Sequence, residues 1–300
     1  MTQQSPATTP VIVVGVGPEE VDSALAFAAE EAVRARCGLH LVHALHVAPP
    51  GPENALLTDV DVEKWGREVL ELAVKHAEDL VDGVVPVTHE LRRGAPVHVL
   101  VEAGRDARMV VLEHRHLSKL SRIVNRTVAG GVAAHLPVPV VAVPSGWSPS
   151  EGHQVVVAGV DVPERSDEVL RTAIAEARAR DASLRVVHAW SWPTYDTDLP
   201  PRSEDHRRWT ERSRAEVRAA LDRMGDESVA IDADVQVHPG RVIEAILEAS
   251  KDADLLVIGR HDPLVPVGSH IGPVARAVLR EAGCPVLLAN PRPHRAVYHP

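Results

Sequence analysis

The sequence predicts two consecutive α/β domains, each a three-layer sandwich with helices on both faces of a sheet. Three observations lead there: an internal repeat, short continuous apolar runs, and helical stretches that alternate with those runs. VIVVGV at 11–16 returns as VVVAGV at 155–160, and LVHAL at 41–45 returns as VVHAW at 186–190. MVVLE at 109–113 matches LLVIG at 255–259, and PVPVVAV at 137–143 matches CPVLLA at 284–289. The matched segments keep their order with nearly constant spacing, so the halves are copies of one unit. The repeat bounds the domains at 10–145 and 154–290. SGWSPSEGHQ at 145–154, rich in Ser, Gly and Pro, reads as the linker.

In the second half the expected strands are 154–160, 184–190, 229–237, 254–259 and 285–289. They are rich in Val, Leu and Ile and apolar almost throughout, as strands covered on both faces of a parallel sheet are. Between them, 166–180, 203–224, 240–251 and 272–283 carry apolar residues at helical spacing, with Leu170, Ile174 and Ala177 on one face of the first. Strand and helix therefore alternate with short turns, which is the mark of the layered α/β class. Helix 203–224 is dense in both charges and reads as a solvated helix. Residues 1–10 read as a frayed leader without the basic and apolar parts of a signal peptide, and 291–300 show no readable element.

Composition narrows the function. With 45% hydrophobic and 25% charged residues, the 300-residue chain can bury two cores. Five Trp, two Tyr and one Phe in 300 residues leave those cores to aliphatic side chains. A net charge of −10 argues against nucleic acid or an anionic membrane surface as partner. Two distant cysteines, Cys37 and Cys284, suggest neither a disulfide framework nor a Cys-based zinc site, and no apolar run reaches the ~20 residues of a membrane span. A cytoplasmic protein is expected.

Several segments of the second half resemble the universal stress protein domain: GVDVPERS at 159–166, VVHAW at 186–190, HPGRVIEAILEAS at 238–250, DADLLVIGR at 252–260 and IGPVARAVLREAGCPVLLA at 271–289. The whole chain resembles a tandem member of that family. The resemblance implies a five-stranded parallel sheet per domain, related to the adenine nucleotide α-hydrolase-like folds. It also implies pairing of domains within the chain, or a homodimer, through the last strand. Some members bind ATP and others have lost the site.

The nucleotide-binding branch carries G-x2-G-x9-G-(S/T) after the fourth strand. Glycines let backbone approach phosphate without a Cβ between, and the last opens a helix whose free N–H groups attract anions. Here Gly259 and Gly272 hold the first and third positions, while Asp262 and Pro273 replace the second glycine and the hydroxyl. Asp161 is retained after the first strand, where the family holds the base or ribose end. The resemblance thus gives ATP as the candidate cofactor of the second domain alone, held weakly by Asp161, Ala189, Gly259 and Gly272 with Arg260 as phosphate partner. In the first half the loop positions read Glu113, His116, Arg126 and Thr127, and Gly17 stands for Asp161. Glu113 at the mouth of such a loop would repel phosphate.

Other constellations are weaker. The run Glu113 to His116 and the trio His40, His43 and His46 invite a metal. Strand alternation turns His43 away from the other two, and its match to His188 favours a structural imidazole, so no metal site is assigned. Residues 114–150 lack acidic residues and hold Arg115, Lys119, Arg122 and Arg126, a solvated basic loop or an anion site near the fourth helix. No G-x-S-x-G elbow, Walker loop or HExxH is present, so no catalytic residue is assigned. The reading is a stress-response binding or regulatory protein without turnover. Its alternatives are a structural or protein-partner module without nucleotide, and a slow ATPase with Asp161 and Asp262 around Mg²⁺.

Overall fold

The computed structural model describes residues 11–18, 21–46, 59–114, 128–149, 153–190, 203–225, 231–260 and 271–289. The chain divides into two compact units, residues 1–149 and 150–300. In the first, β1 (Ile12–Val16), α1 (Asp22–Ala35), β2 (Leu39–Leu45), α2 (Asp59–Val81) and β3 (Val87–Arg93) are followed by α3 (Pro96–Gly104), β4 (Met109–His114), α4 (Val128–His135) and β5 (Val140–Pro144). In the second, β6 (Val155–Val160), a 3-10 turn (Pro163–Arg165), α5 (Asp167–Ala179), β7 (Ser183–Trp190) and α6 (Ser203–Asp222) lead to β8 (Ala233–Pro239), α7 (Val242–Ala249), β9 (Leu255–Ile258), α8 (Pro273–Glu281) and β10 (Val286–Leu288).

Both units carry five parallel strands, ordered β3-β2-β1-β4-β5 in one and β10-β9-β6-β7-β8 in the other. Continuous apolar runs produced this, because each central strand is covered twice. β1, β5, β9 and β10 are buried at every position. In the second unit Leu184 shares a wall with Ile174 of α5 and Leu221 of α6. Its neighbour Arg185 points the other way and donates to the Ala249 carbonyl closing α7 at 2.7 Å. One residue step switches faces, so α5 and α6 cover one side and α7 the other. The first unit shows the same arrangement: a Cβ on Gly15 would meet Leu100 of α3, whereas Gly66 of α2 lies against Leu45 and His43.

The core is aliphatic, with Phe27 and Trp190 the aromatic members among the buried hydrophobic residues described. Leu170, Ile174 and Ala177 are all buried along α5, as their spacing predicts. The third strand of the second unit begins at Ala233, later than the expected 229, and runs on through Pro239. Residues 226–230 lie outside the described set. Gly240 ends that strand at φ 83°, a conformation L side chains rarely adopt, and its N–H donates to the Trp190 carbonyl at 2.8 Å. Gly94 does the same after β3, donating to Leu45 at 3.0 Å. The repeat thus extends to single hydrogen bonds. Among the described residues no helix is long and apolar enough to cross a membrane.

Candidate functional site

In a parallel sheet the crevice for a ligand opens at the carboxyl ends of the strands, where neighbouring strands leave for opposite directions. In the second unit that point lies between β6 and β9. The register pairs Gly159 with Ile258 and Val160 with His188. Counting up from those pairs sets Asp161, Ala189 and Arg260 at one level above the sheet, with Gly259 a step below. Residues 28 to 99 positions apart in sequence therefore share one edge.

Asp161 follows β6 directly and is exposed, just before the 3-10 turn. Ala189 is the penultimate residue of β7 and is buried. Gly259 sits so close to α5 that a Cβ there would lie 3.1 Å from a Val169 methyl. Arg260 is half-buried, and its guanidinium reaches the Leu288 carbonyl at the end of β10 at 3.5 Å. Burial pulls its pKa down to about 10, so it remains a cation at neutral pH. Gly272 is the N-cap of α8, extended at φ −67° and ψ 166°, with Pro273 at the first helical position. Proline suits that position because its missing N–H has no intrahelical acceptor there. The loop with Asp262, Gly268 and Ser269 lies outside the described residues, as do Arg115, His116, Lys119, Arg122, Arg126 and Thr127 of the first half. The expected anion site near the fourth helix of the first half falls there too.

In the first unit the same edge is built differently. Glu113, in β4 beside β1, turns its carboxylate onto the start of α1, where Oε2 accepts the Ala24 N–H at 3.3 Å. The imidazoles are structural anchors: His43 Nδ1–H donates to the Val16 carbonyl at 2.9 Å, and His188 Nδ1–H to Val160 at 3.0 Å. His40 points to the opposite face, bonded to Thr88 Oγ1 at 2.9 Å. Burial lowers the His43 pKa. Folded protein then binds the proton less readily than unfolded chain with its pKa of about 6.5, so His43's contribution is complete above that pH and lost as pH falls below it. Urea unfolding should show the first domain weakening from pH 7.5 to 5.5, with a shallower slope in His43→Asn.

Sequence reasoning missed an aromatic cluster at the end of β7. Trp190 stacks on Trp209 of α6 with centroids 6.0 Å apart, His206 meets its edge at 5.8 Å, and Arg212 lies over Trp209 at 5.6 Å. The expected solvated helix has a buried face that includes Ser213, Val217 and Ala220. Its signal was the spacing 209, 213, 217, 220 within a charged segment. Two grooves, of about 530 Å³ beside the later turns of α1 and about 310 Å³ lined by Leu184, Leu221 and Ala233, lie away from the candidate edge.

The family model described as the universal stress protein family matches residues 9–144 and again 152–290. A universal stress protein of Mycobacterium tuberculosis is 30% identical over 290 residues, covering 93% of this chain and 96% of its own. One from Mycolicibacterium smegmatis is 26% identical over 295 residues, covering 95% and 99%. Among solved structures, a universal stress protein from Archaeoglobus fulgidus superposes with a TM-score of 0.68 at 15% identity, over 93% of this chain and 98% of that one, a likeness of fold.

Proposed function

Starting from the fact that the chain belongs to the universal stress protein family as a tandem member, we propose that it is a stress-related regulatory protein whose second domain takes an adenine nucleotide. The observation that carries this reading is the row of Asp161, Ala189 and Arg260 at the β6/β9 switch point, with Gly259 beneath and Gly272 capping α8. In this reading Asp161 accepts from the ribose hydroxyls, Ala189 presents backbone to the base, and Arg260 offers its charge to phosphate. Gly259 and Gly272 leave room for backbone approach. Asp262 in place of the loop pattern's second glycine and the hydroxyl lost at Pro273 make ATP binding weak, and ligation acts through shape or assembly without turnover. Self-association of chains through a last strand and a cytoplasmic location complete the proposal.

Calorimetric titration of the purified chain with ATP tests it. Gly272→Val sets two methyl groups where phosphate would approach and should cost at least about tenfold in affinity, a change of about 1.4 kcal/mol, with the circular dichroism spectrum unchanged. The double substitution Asp262→Gly with Pro273→Ser should bind more tightly than the parent. A parent and a restored variant that both bind no ATP would sink the reading. Incubation of bound ATP with Mg²⁺, followed by assay for ADP, separates binder from hydrolase.

A further inference from the structure

We propose that Glu113 is an internal ligand of the first domain: its carboxylate occupies the β1/β4 switch point on the first turn of α1 and closes that place to outside anions. The N-cap of α1 is Val21, at φ −126°, whose side chain makes no capping hydrogen bond. The first turn presents N–H donors and the positive end of the helix field, and Val21 offers them no side-chain acceptor. Glu113 supplies one from 89 residues away, through its bond to Ala24, the third residue of the helix. It is positioned by β4, which pairs directly with β1 through Leu112 and Gly15.

The second domain shows the same juxtaposition without the carboxylate. Gly259 follows β9 beside β6 and lies against Val169, the third residue of α5, as Glu113 lies against Ala24. At this position the first domain carries a carboxylate side chain and the second carries none. Where the second domain has glycine, the first has an anion already tethered to the helix. Tethering removes the entropic cost of capture, so an outside carboxylate or phosphate competes with a partner that never diffuses away.

The inference rests on the first domain's own contact and not on nucleotide binding in the second. The test is chemical rescue in the full chain. Glu113→Ala should lower the melting temperature of the first domain, and formate, at ionic strength held constant with chloride, should restore part of it with a saturable dependence. Wild type should respond to formate and chloride alike. The Ala24 amide resonance should shift in the variant and return toward its wild-type position with formate. If Glu113→Ala fails to fold, Glu113→Gln keeps an acceptor of similar length, and its Ala24 amide should lie close to the wild-type position. An Ala24 amide indifferent to the loss of Glu113, or a variant no more responsive to formate than wild type, overturns the proposal. ATP titration of the second domain leaves this result unaffected in either direction.

Discussion

Leu170→Ala should lower the stability of the second domain by about 2–5 kcal/mol, the range for a large aliphatic side chain removed from a close-packed interior. Leu170 has no exposed surface, and it sits on the face of α5 with Ala173, Ile174 and Ala177, all buried. That helix begins beside Gly259, so loosening it also loosens one wall of the candidate crevice. Chemical denaturation should show the second domain unfolding at lower urea, because Leu170 lies in the interior of that unit. A loss under 1 kcal/mol would mean that α5 settles inward and fills the space.

The second large effect concerns charge. Arg260→Gln should weaken ATP binding by about 10- to 150-fold, corresponding to the 1.5–3 kcal/mol of a hydrogen bond to a charged group. The guanidinium is half-buried near the end of β10 and meets a partly dehydrated environment, in which its field is screened less than at an open surface. Circular dichroism and urea unfolding of the variant should be measured beside the titration, so that a loss of affinity is separated from a loss of fold. Titration at two salt concentrations should show a weaker salt dependence in the variant. Equal affinity for parent and variant would place the phosphates away from this residue.

The fold was legible because burial on both faces leaves a continuous trace in sequence: runs such as Val155–Val160 must be apolar throughout to fit between two helical layers. Duplication doubled that trace. Element ends were less legible, because a strand's first pair depends on its neighbour: the Asp232 carbonyl accepts from Leu184 at 3.2 Å, yet Ala233 is the first residue of β8. Asp161, Gly259 and Gly272 stood out through their spacing against a known motif. The role of Glu113 did not. Sequence marked it as a charge that repels phosphate, and only the meeting of β4 with α1 shows the helix terminus that receives it. The Trp190–Trp209 pair was hidden for a different reason, because the charges around Trp209 outweighed the helical spacing of Trp209, Val217 and Ala220.

That indole pair gives the second domain an optical signature of its own. Two stacked rings at 6.0 Å and 24° are close enough for their electronic transitions to couple, whereas Trp65 of the first domain meets an imidazole edge at 6.3 Å. Ellipticity in the near ultraviolet should therefore report on the distance between β7 and α6, beside the contribution of Trp147 against Phe27 at 5.8 Å in the first domain. Because Trp190 follows Ala189 on the strand that borders the crevice, a rearrangement there should be recorded in that ultraviolet signal without a label attached.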